Sequence, residues 1–227
     1  MNRHLLLSML GIVAVMGLFS ACDMMGDLYD DTITGGDDRQ DVPVVEQREG
    51  QYYIDATSYT KWVYINMHGD SLAITVADIS TEDHTESGAP EEWDYAHHRY
   101  DVKTNDGSVM MTDCHSIEQL EAMGLPAEAT WTNDEYSEQS ITVDMSHMLE
   151  GYLDYAPGFK NREAGRWLDV DTSSMPPIYT MHDNVMLFRF KDGTYAAVQL
   201  VNYMSTDRYQ TKGWMTVNYK YPIFTNQ

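Results

Sequence analysis

The stretch from Leu187 to Leu200 constrains this chain most. Leu187-Phe188-Arg189-Phe190 and Tyr195-Ala196-Ala197-Val198-Gln199-Leu200 are short apolar runs joined through Lys191-Asp192-Gly193. Two such runs about a Gly-containing turn predict a β-hairpin. Trp214 to Tyr221 then alternates over eight residues, as a half-buried strand should. Further strands are predicted at 51–55, 61–67, 72–76, 95–102, 109–111, 140–144, 186–190, 195–203 and 213–221. A single helix is predicted from Ser116 to Met123, with Ser116 as cap, Gln119 three residues on, and Gly124 and Pro126 as the stop. Many short strands with turn-rich joints give an all-β fold, a sandwich or partly closed barrel of mostly antiparallel strands.

That domain is predicted to run from residue 50 to 227, a normal size for one core. Residues 1–21 read as a removable address. Arg3 and His4 precede an apolar run from Leu5 to Phe19, too short to span a bilayer comfortably. Small residues then lead into Cys22, the arrangement of a bacterial lipoprotein signal in which Cys22 becomes the lipidated N-terminus. An ordinary secretory signal with an incidental cysteine is the alternative. With Cys22 lipidated, Cys114 has no partner and reads as a small buried apolar residue. Residues 22–49, with Asp-Asp pairs at 30–31 and 37–38 and Gly35-Gly36, read as the lipidated cysteine followed by an acidic flexible tether.

The chain carries 36 Asp plus Glu against 14 Lys plus Arg, a net charge of −22. Removing the signal takes away only Arg3, so the mature balance is 13 − 36, or −23. Such a field opposes nucleic acid, whose affinity comes largely from phosphate neutralisation. It also opposes adsorption to anionic lipid, so the acyl chains must do the holding. The sequence holds no phosphate-binding glycine loop, no Gly-X-Ser-X-Gly elbow and no His-Glu-X-X-His, and an enzyme is not expected. His97-His98 invites a metal reading, but neighbours on a strand face opposite ways, so one is predicted packed and the other solvated. Glu91-Glu92 and Asp134-Glu135 read as solvated loop acids. Of the methionines, Met67, Met110, Met186, Met204 and Met215 lie in or beside strand runs and read as core filler.

Three blocks then carry a resemblance. They are Tyr52-Tyr53-Ile54-Asp55 through Trp62, Trp93-Asp94-Tyr95-Ala96-His97-His98-Arg99-Tyr100-Asp101-Val102, and Val198 to Tyr203 with Lys212-Gly213 and Tyr219-Lys220-Tyr221-Pro222. Together, and in this order, they resemble the HmuY-like haem-binding lipoproteins of Gram-negative bacteria. The resemblance implies a β domain gripping haem b (iron protoporphyrin IX) between loops at one end. It also implies display on the outer membrane, a lipid anchor, and capture of haem, host haemoproteins included, for a TonB-dependent outer-membrane receptor.

The family's founding member uses two histidines as axial ligands, while some relatives use two methionines. Here the resemblance places the ligands at Met148 and Met175. Met145 or His147 is the alternative in the first loop and His182 in the second. Haem iron accepts either donor type, and a thioether raises the reduction potential. A competing reading is a non-haem β domain that binds glycan or a host protein through exposed Trp131, Tyr152 and Tyr155.

Overall fold

The computed structural model describes residues 44–174 and 176–224, so Cys22, the signal and most of the tether lie outside the described residues. Two large antiparallel sheets dominate. The seven-stranded sheet runs β1 (Val44–Arg48), β2 (Gln51–Asp55), β16 (Lys212–Lys220), β15 (Tyr195–Met204), β14 (Met186–Arg189), β8 (Ser108–Met111) and β9 (Thr132–Asn133). The five-stranded sheet runs β5 (Glu86–Ser87), β4 (Ala73–Ile79), β3 (Lys61–Asn66), β6 (Tyr95–His98) and β7 (Asp101–Thr104). Two hairpins stand apart as separate sheets: β10 (Glu135–Asp144) with β11 (Asp154–Lys160), and β12 (Leu168–Asp171) with β13 (Ile178–Met181).

The inner faces of the large sheets share one core. Tyr52, Ile54, Val198, Leu200, Met215 and Val217 come from one sheet, and Val63, Ile65, Tyr95 and Val102 from the other. The Tyr95 and Phe188 rings meet across it at 4.9 Å. Both outer faces are covered as well. The β10–β11 hairpin lays Ile141, Val143 and Ala156 on Trp62, Tyr64, Ala77, Ile79 and Ala96. Helix α1 (Ile117–Met123) lays Leu120 against Met110, Val185, Leu187 and Ala197. Four layers explain why β3, β6 and β14 are buried on consecutive residues and do not alternate. Truncating a central aromatic such as Phe188 to Ala should cost about 3–5 kcal/mol.

Every predicted strand but 95–102 is present as one strand, β2 with the predicted ends and the others with shifted ends. The hairpin turn after β14 closes on Gly193, whose φ is +86°. The α1 cap forms as predicted, Gln119 N–H donating to Ser116 Oγ at 3.1 Å, and Gly124 ends it at φ +78°. Cys114 is buried, and Met67, Met110, Met186 and Met215 fill the core, whereas Met204 is half-buried at a strand end.

Several expectations need correction. The 95–102 run is two strands, because Arg99 takes a left-handed φ of +52° and turns the chain back at once. The 44–48 segment, read as tether, is strand β1, folded onto β2 through Gly50 at φ +75°. His97 and His98 do face opposite ways, but both are buried because both faces of β6 are covered. His97 Nε2 lies 2.8 Å from Tyr52 Oη, and His98 Nε2 lies 2.8 Å from the Tyr59 carbonyl. Asp134 is not a solvated loop acid. It accepts from Thr104 N–H at 2.6 Å, Thr104 Oγ1 at 2.9 Å and Asn161 Nδ2 at 2.9 Å.

Candidate functional site

Side-chain contacts bring the two hairpin loops to one end of the sandwich. On one side, Asp154 Oδ2 at the start of β11 lies 3.2 Å from His84 Nε2, in the turn after β4. That turn sits beside the start of β3, where Ile79 N–H donates to the Thr60 carbonyl. On the other side, Tyr179 of β13 meets Tyr100 of the β6–β7 turn and Tyr203 near the end of β15. Arg99 in that turn donates to the Thr57 carbonyl, between β2 and β3. Loop 145–153 and loop 172–177 therefore flank the same mouth.

The first loop is built by local capping. Asp144 accepts from Ser146 N–H at 2.7 Å and Ser146 Oγ at 2.9 Å, and these bonds hold its carboxyl below the usual range. A single 3₁₀ turn, Met148–Glu150, follows and closes on Gly151 at φ +92°. Met145 and Met148 are half-buried there. His147 is turned outward: its Nδ1 lies 3.1 Å from Glu150 Oε2 and its ring stacks on Tyr152 at 4.6 Å. Leu149, at the tip, is 86 % exposed.

The second loop opens with an Asp171 turn, Ser173 N–H donating to Asp171 Oδ1 at 2.8 Å. Met175 lies outside the described residues; its neighbours Ser174 and Pro176 sit in the loop, and Ile178 beyond them is 56 % exposed. His182 is not at this tip. Leu168 pairs with Met181 at the hairpin root, and His182 follows it, four residues past Ile178 or roughly 13 Å along an extended chain. Its Nε2 is 2.8 Å from Asp169 Oδ2 and its N–H donates to the Trp167 carbonyl. The structure thus groups Met145, His147 and Met148 in one loop and leaves His182 at the far end of the other hairpin.

Sequence reasoning missed the aromatic and cationic cluster around Tyr179 of the second hairpin: Tyr59, Arg99, Tyr100, Tyr203 and Lys212. The strand pattern that ends at Tyr203 and resumes at Gly213 carries no sign that β13 will lie against Tyr203 and Lys212. The aromatic platforms of the competing reading are weak. Trp131 is half-buried under Arg189 and beside Tyr195, Tyr155 is half-buried, and Tyr152 is already stacked. A cleft of about 730 Å³ lies at the opposite end, between the β1–β2 turn and α1. Its walls mix Arg48 and Lys220 with Glu49 and Glu118, and it is remote from both loops.

Taken together, the fold is a β-sandwich with two hairpins whose loops lie at one end. The HmuY protein family matches residues 58–219, and the chain belongs to that family. A Bacteroides fragilis protein assigned as a lipoprotein is 44 % identical, covering 79 % of this chain and 93 % of that one, with a TM-score of 0.67. A Bacteroides vulgatus protein assigned as HmuY-like and heme binding is 37 % identical over 80 % of this chain and 98 % of that one, also at 0.67. The apo HmuY analog of Tannerella forsythia shares the fold at 22 % identity, covering 81 % of this chain and 97 % of that one, with a TM-score of 0.57. No curated protein matches the chain.

Proposed function

We propose that this protein is a surface lipoprotein that binds haem b between loops 145–153 and 172–177. In this reading it is anchored to the outer membrane through Cys22 and passes its cargo, taken from host haemoproteins, to a TonB-dependent receptor. Its role is binding and not catalysis. The observation that carries the haem reading is the pair of tips at one mouth. Met148 is half-buried beside exposed Leu149 in the first loop, and Ile178 is exposed beside the second. Membership in the HmuY family and the Bacteroides vulgatus relative assigned as heme binding support the same reading.

The donor set fits. Met148 would hold one face of the iron and Met175 the other, and haem supplies a metal centre that accepts soft sulfur on either side. Met145 is the other thioether in the first loop. His147 meets Glu150 through Nδ1 and stacks on Tyr152, so Nε2 is the nitrogen by which it would serve. Leu149 and Ile178 would exclude water above and below the ring. Covering a few hundred Å² of porphyrin at ~25 cal/mol/Å² contributes on the order of 10 kcal/mol before the losses of association. The axial residues therefore need to supply orientation and only part of the affinity.

The test is a haemin titration followed by visible absorption. A saturable, sharp Soret band with six-coordinate features is expected. A broad free-haem spectrum at all ratios would defeat the proposal and leave the glycan or host-protein reading.

A further inference from the structure

The tyrosine cluster at the mouth is bracketed by two cations. Lys212 opens β16, and its ammonium lies 4.1 Å from the centre of the Tyr179 ring. Tyr179 stacks on Tyr203 at 5.7 Å and 12°, and meets Tyr100 edge-on at 5.7 Å. On the other side of Tyr100 stands Arg99, 4.2 Å over the Tyr59 ring and 5.3 Å from that of Tyr100. Arg99 is buried, and its hydrogen bonds go to the Thr57 carbonyl and, at 3.4 Å, to Tyr100 Oη. Among the described residues no carboxylate bonds its guanidinium. Buried charges are ordinarily paired, and tyrosine faces offset only part of the lost hydration.

The backbone holds these cations in place at some strain. Arg99 sits in the left-handed region, at φ +52°, where glycine or asparagine would be the easier residue. Gly213, next to Lys212, is pressed on the segment that receives Arg99. A Cβ there would stand 3.0 Å from Thr57 Cα. The Thr57 segment thus ties both cations into one framework beside the second jaw. In a chain of net charge −22, an anionic ligand entering this mouth meets repulsion from the general field and needs a local cation.

We infer that Lys212, with Arg99 reinforcing it through the tyrosine cluster, receives a propionate carboxylate of the bound porphyrin beside Tyr179 of the second jaw. The inference rests on the haem reading and adds which edge of the ligand meets which hairpin. Lys212 is the contact residue, since it is half-exposed. Arg99 is a positioning residue that contributes field and holds the Thr57 segment.

The experiment compares haemin with its dimethyl ester in the same mixed solvent, on wild-type protein and Lys212→Met. Wild type should favour free haemin over the ester by roughly tenfold, the scale of one charge-assisted hydrogen bond. Lys212→Met should lose that preference while keeping its affinity for the ester and the wild-type Soret shape, and Lys212→Arg should restore most of it. Met148→Ala, which touches ligation alone, should leave the acid-to-ester ratio unchanged. Equal loss for both ligands in Lys212→Met, or an intact preference, would overturn the carboxylate site while the haem reading stands. Wild type that binds neither ligand would overturn both.

Discussion

Trp167 lies flat on His97, the ring centroids 5.1 Å apart and the planes 4° from parallel. Trp167 is the residue before β12, and its indole N–H donates to the Tyr100 carbonyl at 2.9 Å. The root of the second jaw is thereby fastened to the sandwich core through a neutral imidazole. His97 in turn holds Tyr52, whose hydroxyl also lies 2.8 Å from Tyr95 Oη.

Acid should loosen this fastening. Burial pushes the His97 pKa from 6.5 down to about 3. Between those values the unfolded chain binds a proton that the folded chain refuses. The His97 contribution is therefore fully present above pH 6.5 and falls as the pH drops toward 3. The loss approaches about 1.4 kcal/mol per pH unit, and is about 1.4 kcal/mol by pH 5.5. Burial lowers His98 in the same direction. Urea midpoints at pH 7.5 and 5.5 should differ less in His97→Phe, which keeps a ring under Trp167, than in wild type. An equal drop in both would locate the pH dependence elsewhere.

Asn161 is the matching anchor for the first jaw. It is buried between β11 and α2 (Arg162–Gly165), donating to the Thr132 carbonyl and Asp134 Oδ1 and accepting from Ala164 N–H, each at 2.9 Å. Asn161→Ala removes a helix cap and leaves buried groups unpartnered, and should cost about 2–4 kcal/mol in urea unfolding. Asn161→Asp sets a second carboxylate against Asp134, whose own carboxyl burial already pushes up. Its deficit relative to wild type should shrink from pH 7 to pH 4.5. A deficit that grows in acid would show that like-charge repulsion is not the cause.

What could be read in advance follows from which faces are covered. The β14–β15 hairpin and β16 were legible because apolar runs and a Gly turn leave one solution. The α1 cap was legible because Ser116 and Gln119 act locally. Strands β11 to β13 were not, since they pair only in small hairpins and keep exposed, polar positions that break the alternation. Pro157 also falls opposite an irregularity in the β10 register, where proline loses no ladder bond. The burial of His98 depends on a hairpin about 40 residues on, and that of Asp134 on Thr104, 30 residues back, and Asn161, 27 residues on, which no local pattern announces. Loop 145–153 was marked by its methionines, but only a resemblance singled them out. The Arg99–Tyr100–Tyr179–Lys212 cluster joins three distant segments and had no local signal.

Anchor and binding should separate. Cys22→Ser should move the protein from the membrane fraction to the soluble fraction, while haemin affinity stays within about twofold, well under the tenfold that 1.4 kcal/mol represents. Every described residue placed at the mouth comes after β1 in the chain. A folded Cys22→Ser protein that no longer binds haemin would mean that the N-terminal segment forms part of the site.

Methionine and histidine ligation make opposite predictions about acid and reduction. An imidazole has an ordinary pKa near ~6.5, so protons compete with iron as the medium acidifies, whereas a thioether has no proton to gain. Iron(II) is softer than iron(III), so two sulfurs should hold haem more tightly after reduction. Ligation through Met148 and Met175 should therefore strengthen with dithionite and persist to about pH 5, below the histidine range. The His97 loss above acts on the fold and not on the iron, so circular dichroism must be recorded alongside each titration. Met148→Ala or Met175→Ala should weaken binding and change the Soret band, and the double variant should lose axial coordination. Met145→Ala and His147→Ala should leave the spectrum as it is. Weaker binding on reduction, or a Soret band lost near pH 6.5 with the β spectrum intact, would move the first ligand to His147. His147 would then ligate through Nε2 while Nδ1 keeps its contact with Glu150, so Glu150→Gln should weaken that ligation.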